Sequence, residues 1–199
     1  EIRETNKMVE EFMLLANIVV AERILKHFPH CALLRRHPKP SNEMFEPLIK
    51  AAASAGFSID ASNSRLLNDS LASIDEDAKR KGDEYLGTLL RIMATRCMTQ
   101  AVYFSSGEVA DPEYLHYGLA APVYTHFTSP IRRYADVLVH RLLSACLGFA
   151  SLPMSLQDSK RMNEIADVIN ERHHCAQFAA RSSTALHTVL LFKDRDALV

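Results

Sequence analysis

The chain has 199 residues, 48% of them hydrophobic, with 23 Lys and Arg against 24 Asp and Glu. That length and apolar content suffice for one sizeable core with a small appendage. The near-zero charge balance excludes a uniformly basic coat for nucleic acid, though not a local basic channel. Cys31, Cys97, Cys146 and Cys175 are too scattered for a CxxC metal knuckle or a disulfide scaffold, which suits a reducing cytosolic or nuclear compartment. No apolar run is long enough to span a membrane, and the chain opens on Glu1 inside a charged helical pattern, as expected of a piece of a longer polypeptide.

In chain order, residues 6–28 read as a helix that buries Met8, Phe12, Leu15 and Val19, with Leu14, Ile18 and Leu25 widening the apolar face and Pro29 ending it. Cys31 to Arg36 runs from apolar to basic and is too short to assign as a strand. Glu43 to Ala55 is a second helix closed by Gly56. Arg65 to Leu71 reads as a short helical turn, and the charged interval 72–83 as an exposed loop or frayed helix, so that 30–83 forms a small helical insertion. Tyr85 to Met98 is a helix with Leu86, Leu89, Leu90 and Met93 inward. Ala101 to Phe104 has strand propensity, Ser105-Ser-Gly107 is a turn, and Tyr114 to Leu119 is the expected partner strand of a hairpin. Residues 159–192 carry an apolar stripe from Met162 through Ile165, Ile169, Ala176, Ala179, Ser183 and Leu186 to Leu190, without Gly or Pro. A helix of that length spans about 50 Å and offers a backbone for several core contacts.

The densest chemistry lies in Tyr124-Thr-His-Phe-Thr-Ser-Pro-Ile-Arg-Arg-Tyr134. Ser129 suits a helix N-cap and Pro130 the first helical position, which predicts a helix starting there with Arg132 and Arg133 in its first turn. Guanidinium groups beside free backbone N–H groups make an anion site suited to phosphate; the alternative is a surface turn with Arg132 paired to Asp136. Tyr124, Phe127 and Tyr134 offer faces for base stacking or fill the core. His126, in the same loop as the hydroxyls of Thr128 and Ser129, contacts phosphate or base or else caps backbone groups. Glu171, His174 and Arg181 share a face of the final helix, where Glu171 could bind a ribose hydroxyl or orient Arg181 toward phosphate; the alternative is a solvated ion-pair ladder. His173, His174 and Cys175 are consecutive and point apart, a poor zinc set.

No GxSxG, GxGxxG or Walker loop occurs, and Asp75-Glu-Asp77 among lysines and arginine is a solvated charge run. Two-metal phosphodiester hydrolysis needs several convergent carboxylates. The sequence thus supplies a phosphate-binding half of a site and no metal-binding half.

The run Tyr124 to Leu143, together with Glu10-Glu-Phe-Met-Leu-Leu-Ala-Asn17 and Ala32-Leu-Leu-Arg-Arg-His-Pro38, resembles the catalytic domain of the RNase II and RNase R family of processive 3'-to-5' exoribonucleases. Met93-Ala-Thr-Arg-Cys-Met98, Gln100 to Gly107 and His116-Tyr-Gly-Leu119 resemble its eukaryotic branch, that of the RNA exosome's catalytic subunit. The resemblance covers nearly all of the chain and implies the mainly helical C-terminal portion of an α+β RNase II-type domain, residues 1–199, with a small antiparallel sheet. It implies hydrolysis of single-stranded RNA to nucleoside 5'-monophosphates, in nucleus and cytoplasm, with exosome core subunits as partners. Arg132 would be the catalytic residue at the scissile phosphate. Arg133, Tyr124, His126, Thr128, Ser129, Tyr134, Glu171 and Arg181 would be RNA contacts. The family's Mg2+ is held by aspartates that precede the segment matching Glu10 to Asn17, so this segment alone is expected to be inactive. Where bacterial members show Ala-Glu-Arg this chain has Ala179-Ala-Arg181, at a point where the exosome branch also varies. An RNA-binding or scaffolding module, or a catalytically inactive member of the family, is the alternative.

Overall fold

The computed structural model describes residues 3–193 as a mostly helical α+β fold built around two apolar clusters and a two-stranded antiparallel sheet. The helices are α1 (Glu4–His27), α2 (Asn42–Ser54), α3 (Ser64–Arg80), α4 (Leu86–Cys97), α5 (Tyr134–Cys146), the short α6 (Met154–Gln157) and α7 (Ser159–Phe192); the strands are β1 (Leu33–Arg36) and β2 (Val102–Ser105). The first cluster joins Val20, Ala21 and Ile24 of α1, Leu33 and Leu34 of β1, Phe104 of β2, Leu138, Val139 and Leu142 of α5, and Met162 and Ala166 of α7. The second joins Phe45, Leu48 and Ala52 of α2, Leu67, Leu71 and Ile74 of α3, and Leu90, Ala94 and Cys97 of α4. Of the expected 30–83 insertion, Leu33 and Leu34 therefore sit in the first core, while the unit begun by α2 continues through α4.

Several local expectations change. Met8, Phe12, Leu15 and Val19 are exposed on α1, which buries Asn17, Val20, Ala21 and Ile24 instead. That helix is apolar around most of its circumference, and its neighbour α5 decides which side is covered. Of the two readings of 72–83, loop or frayed helix, the helical one holds: residues 72–80 are the second half of α3. Asn63 caps that helix by accepting from the Leu66 N–H at 2.9 Å, and Leu67, Leu71, Ile74 and Ala78 hold one continuous inward face. On α4, Leu89 faces solvent, and Gly87, Leu90, Ala94 and Cys97 turn inward.

The partner of β2 is not 114–119. Leu33 pairs with Ser105 and Arg36 with Val102, whereas Tyr117–Leu119 is a 3-10 turn tied down by single bridges at His116. The other edge of β2 is closed by α7 rather than by a third strand. Asn170 accepts from the Tyr103 N–H and donates to the Tyr103 carbonyl, each at 2.8 Å, and Asn163 accepts from the Ser105 N–H at 3.2 Å. These side-chain amides satisfy backbone groups that an open edge would leave unpaired. The 34-residue α7 serves the core in its first third, where Met162 and Ala166 are buried and Ile165 and Ile169 pack against the first cluster; its stripe beyond Asn170 stands in solvent. No helix among the described residues is long and apolar enough to cross a membrane.

Candidate phosphate-binding site

Pairing of the two strands sets Arg35 opposite Tyr103. The loop 124–129 is then laid along β1: the Arg35 N–H donates to the Tyr124 carbonyl at 2.8 Å, and the buried Thr125 hydroxyl to the Leu33 carbonyl at 2.7 Å. Asn17 of α1 holds the loop from the other side, donating to the Tyr124 hydroxyl at 2.9 Å and accepting from the Phe127 N–H at 2.8 Å. Phe127 stacks on His140, with ring centroids 4.3 Å apart. The ring of Tyr124 is buried, edge-on to His116 and His126, so it forms wall rather than an open stacking face.

The helix does not start at Ser129. Residues 130–132 form a turn in which the Ser129 carbonyl accepts from the N–H groups of both Arg132 and Arg133 at 3.2 Å, and α5 begins only at Tyr134, after an extended Arg133. The cause is Asp136, fully buried in the first turn of α5. Its carboxylate accepts from the Ser129 N–H at 2.7 Å and from two nitrogens of Arg133 at 2.9 Å. Neither arginine is thus in the helix, and the partner of Asp136 is Arg133 rather than Arg132. Arg133 also reaches the Thr128 hydroxyl at 3.5 Å. Arg132 is exposed and makes no ion pair among the described residues.

A cavity of about 360 Å³ opens here, lined by Arg35, Tyr103, His126, Arg132, Arg133, Tyr134, Ala135, Ile169 and His173. Of the expected contacts it gathers Arg132, Arg133, His126 and the largely exposed Tyr134. Tyr124 and Thr128, with Arg133, line an adjoining recess against α1. Arg181 lies in a separate groove with Ile92, Thr95, Arg96 and Met98, and Glu171 is exposed with no ion pair to Arg181 among the described residues. Arg35 and Tyr103 were not singled out from sequence. Both lie in segments that carry the family resemblance, Ala32 to Pro38 and Gln100 to Gly107, but no role attaches to either there, and the pairing that joins them spans 68 positions of sequence.

The electrostatics are those of a cationic pocket. Burial, reinforced by Arg35, Arg133, His116 and Arg132, lowers the pKa of His126 to about 3, so its imidazole is neutral near pH 7. Burial, then Arg35 and His37, lowers that of His116 to about 4. Burial also holds the Tyr103 hydroxyl above its ordinary pKa, so it stays protonated. Among the described residues Asp136 is the only carboxylate bonded to this loop, and it is committed to Arg133. Among the described residues no group of three or more His, Cys, Asp and Glu could hold a metal ion. These side chains fit an anion and do not fit Mg2+.

The RNB domain matches residues 1–148. Over 195 residues the chain is 56% identical to exosome complex exonuclease RRP44 homolog A of Arabidopsis thaliana, an alignment covering 98% of this chain and 20% of that protein. Among solved structures, that of yeast Ssd1, a pseudonuclease, superposes with a TM-score of 0.73 at 30% identity, covering 86% of this chain and 20% of the other. The apo form of Mycoplasma genitalium RNase R superposes with a TM-score of 0.77 at 25% identity, covering 96% and 29%. The chain spans about a fifth of the length of the curated relative it matches.

Proposed function

This chain belongs to the RNB-domain family of RNase II and RNase R, and on that premise we propose that it forms part of a hydrolytic, processive 3'-to-5' exoribonuclease acting on single-stranded RNA. The observation that carries the reading is the division of labour between two adjacent arginines. Arg133 is neutralised by Asp136, while Arg132 enters the cavity with its charge uncompensated. A planar guanidinium held there can take two phosphate oxygens at once and oppose the charge that develops on them as the bond breaks. Tyr134, at the cavity mouth, is the face open to a base. Arg133, Thr128 and Ser129 shape the turn that aims Arg132. Glu171 and Arg181 lie along α7 outside this cavity and would meet RNA only at a distance from it.

The family's Mg2+ would be held by aspartates outside this segment, which on its own would be inactive. By kinship with the exosome exonuclease, the whole protein would release nucleoside 5'-monophosphates, work in nucleus and cytoplasm, and engage exosome core subunits. In the full-length protein, Arg132→Ala should lower turnover about 100-fold while changing affinity for single-stranded RNA far less, because other phosphate contacts remain. Arg132→Lys should recover part of the loss, keeping charge without the planar fork. Turnover that survives Arg132→Ala, or a loss explained wholly by weaker binding, overturns the assignment.

A second reading, RNA binding without catalysis, is favoured by the 30% identity to the pseudonuclease. It requires substitutions among the metal-binding aspartates of the whole protein. Hydrolysis of RNA by the full-length protein with Mg2+ would eliminate it.

A further inference from the structure

We propose that Arg35 and Tyr103 form a second donor pair that holds a phosphate of single-stranded RNA in the cavity of Arg132, with His126 as their positioning residue. The inference rests on the RNA substrate argued above and concerns residues to which that argument gave no role.

Arg35 is a half-buried cation without a carboxylate. Among the described residues it makes no ion pair, and its buried Nε has no hydrogen-bond partner. Its guanidinium lies over the Tyr103 ring at 5.6 Å, and one Nη meets His126 Nε2 at 3.5 Å. Arg36, the next residue of β1, has an unpartnered Nε as well, but its charge is met: it reaches Glu113 at 2.5 Å on the exposed side, a carboxylate that Arg35 lacks among the described residues. A desolvated guanidinium with an idle N–H is unfavourable unless an anion completes it. Among the described residues the cavity offers no free carboxylate, since Asp136 already serves Arg133. Arg35 and Arg132 together leave it with two uncompensated positive charges.

His126 makes Tyr103 a donor as well. Arginine has only N–H groups to offer, so the His126 Nε2 facing it must carry the lone pair. The proton of the neutral imidazole is then on Nδ1, which donates to the Tyr103 hydroxyl oxygen at 2.5 Å. The hydroxyl hydrogen cannot point back at His126 and turns to an acceptor in the cavity. Arg35 thereby fixes the tautomer that aims Tyr103, and the lowered pKa of His126 keeps the ring neutral. Phosphate oxygens, acceptors only and negatively charged, match both donors.

The test is RNA binding by the full-length protein in EDTA, which leaves the RNA uncut, read by anisotropy of a labelled single-stranded oligoribonucleotide over a range of KCl. Each phosphate contact to a cation on a single strand contributes about 0.7 to the slope of log Kd against log salt. Arg35→Met should reduce that slope by about 0.7, and Arg35→Lys should keep it while still weakening binding. Tyr103→Phe should raise Kd about five-fold at every salt concentration, with the slope unchanged, because it removes a donor without charge. An unchanged slope in Arg35→Met overturns the proposal. If its melting temperature also falls, Arg35 pairs with a carboxylate elsewhere in the protein. Should Arg35→Met not fold, normal Kd values for Arg35→Lys and Tyr103→Phe overturn it equally. A protein that loses the slope on Arg35→Met yet never hydrolyses RNA would break the proposed activity and leave this contact standing.

Discussion

In the α2–α4 unit, charges lie along the solvent faces of helices: Lys50 with Glu46 and Lys79 with Asp75, each four residues apart, over a core of Phe45, Leu48, Leu71 and Leu90 that contains no charge. Around β1 and the start of α5, charge goes inward. Asp136 is fully buried, Arg133 is drawn onto it, and among the described residues the half-buried Arg35 has no carboxylate and His116 has both ring nitrogens unpartnered. The first arrangement is what stability alone favours, since exposed pairs contribute little and the apolar core carries the unit. The second gives up stability to hold cations at a cavity wall, as the proposed phosphate contact requires.

The sharpest way to break this contrast is to remove the one buried counter-ion. Asp136→Ala should destabilise the protein by about 3 to 5 kcal/mol, because it strands Arg133 and frees the Ser129 N–H that shapes the turn. A urea-melt loss under about 1 kcal/mol would mean that the turn holds itself. Asn17→Ala comes next. Losing both of its buried bonds, to Tyr124 and to the Phe127 N–H, should cost about 2 kcal/mol. It should also lower turnover by loosening the loop that carries Arg132, and melts set beside single-turnover rates separate the two effects.

Acid should act on the pocket side in particular. His116 and His126 resist protonation in the folded protein, with pKa values of about 4 and about 3, whereas the unfolded chain takes up protons below roughly pH 6.5. The unfolded state binds more protons in that interval, so stability falls with pH from about 6.5 downward and is insensitive to these groups above about pH 7. Between pH 7 and 5.5 the loss should be about 1.5 kcal/mol, after allowing for solvent that reaches the partly exposed His126. Urea midpoints that stay level over this range would show that the two imidazoles are solvated. On the helical side, Lys50→Ala should change stability by less than about 0.5 kcal/mol, and a larger loss would show that the surface pairs carry more than the comparison allows.

Much of the fold was legible because its signals are local. Apolar residues repeat at helical spacing in α2, α5 and α7, Gly56 closes α2 at a positive φ of 82°, and the Tyr124 to Leu143 run marks the family. Where the reading failed, the deciding partner was distant. The side of α1 that is covered depends on α5, and the partner of β2 lies about seventy residues upstream in β1. The charged run at 72–80 stays helical because Ile74 and Ala78 find the second core.

The pocket divides in the same way. Its chemistry, two arginines beside hydroxyls, a histidine and tyrosines, is written in consecutive residues and was determined by the sequence itself. Which arginine is neutralised was not, because Arg132 and Arg133 are both within reach of Asp136 along the chain. Only the packed turn, with the Ser129 N–H and the Arg133 guanidinium closing on one buried carboxylate, separates them. Arg35 joins the pocket by strand pairing alone. A pattern along the chain specifies the spacing of near neighbours, whereas the loss of solvent that makes a charge costly, and therefore informative, exists only once remote elements have closed around it.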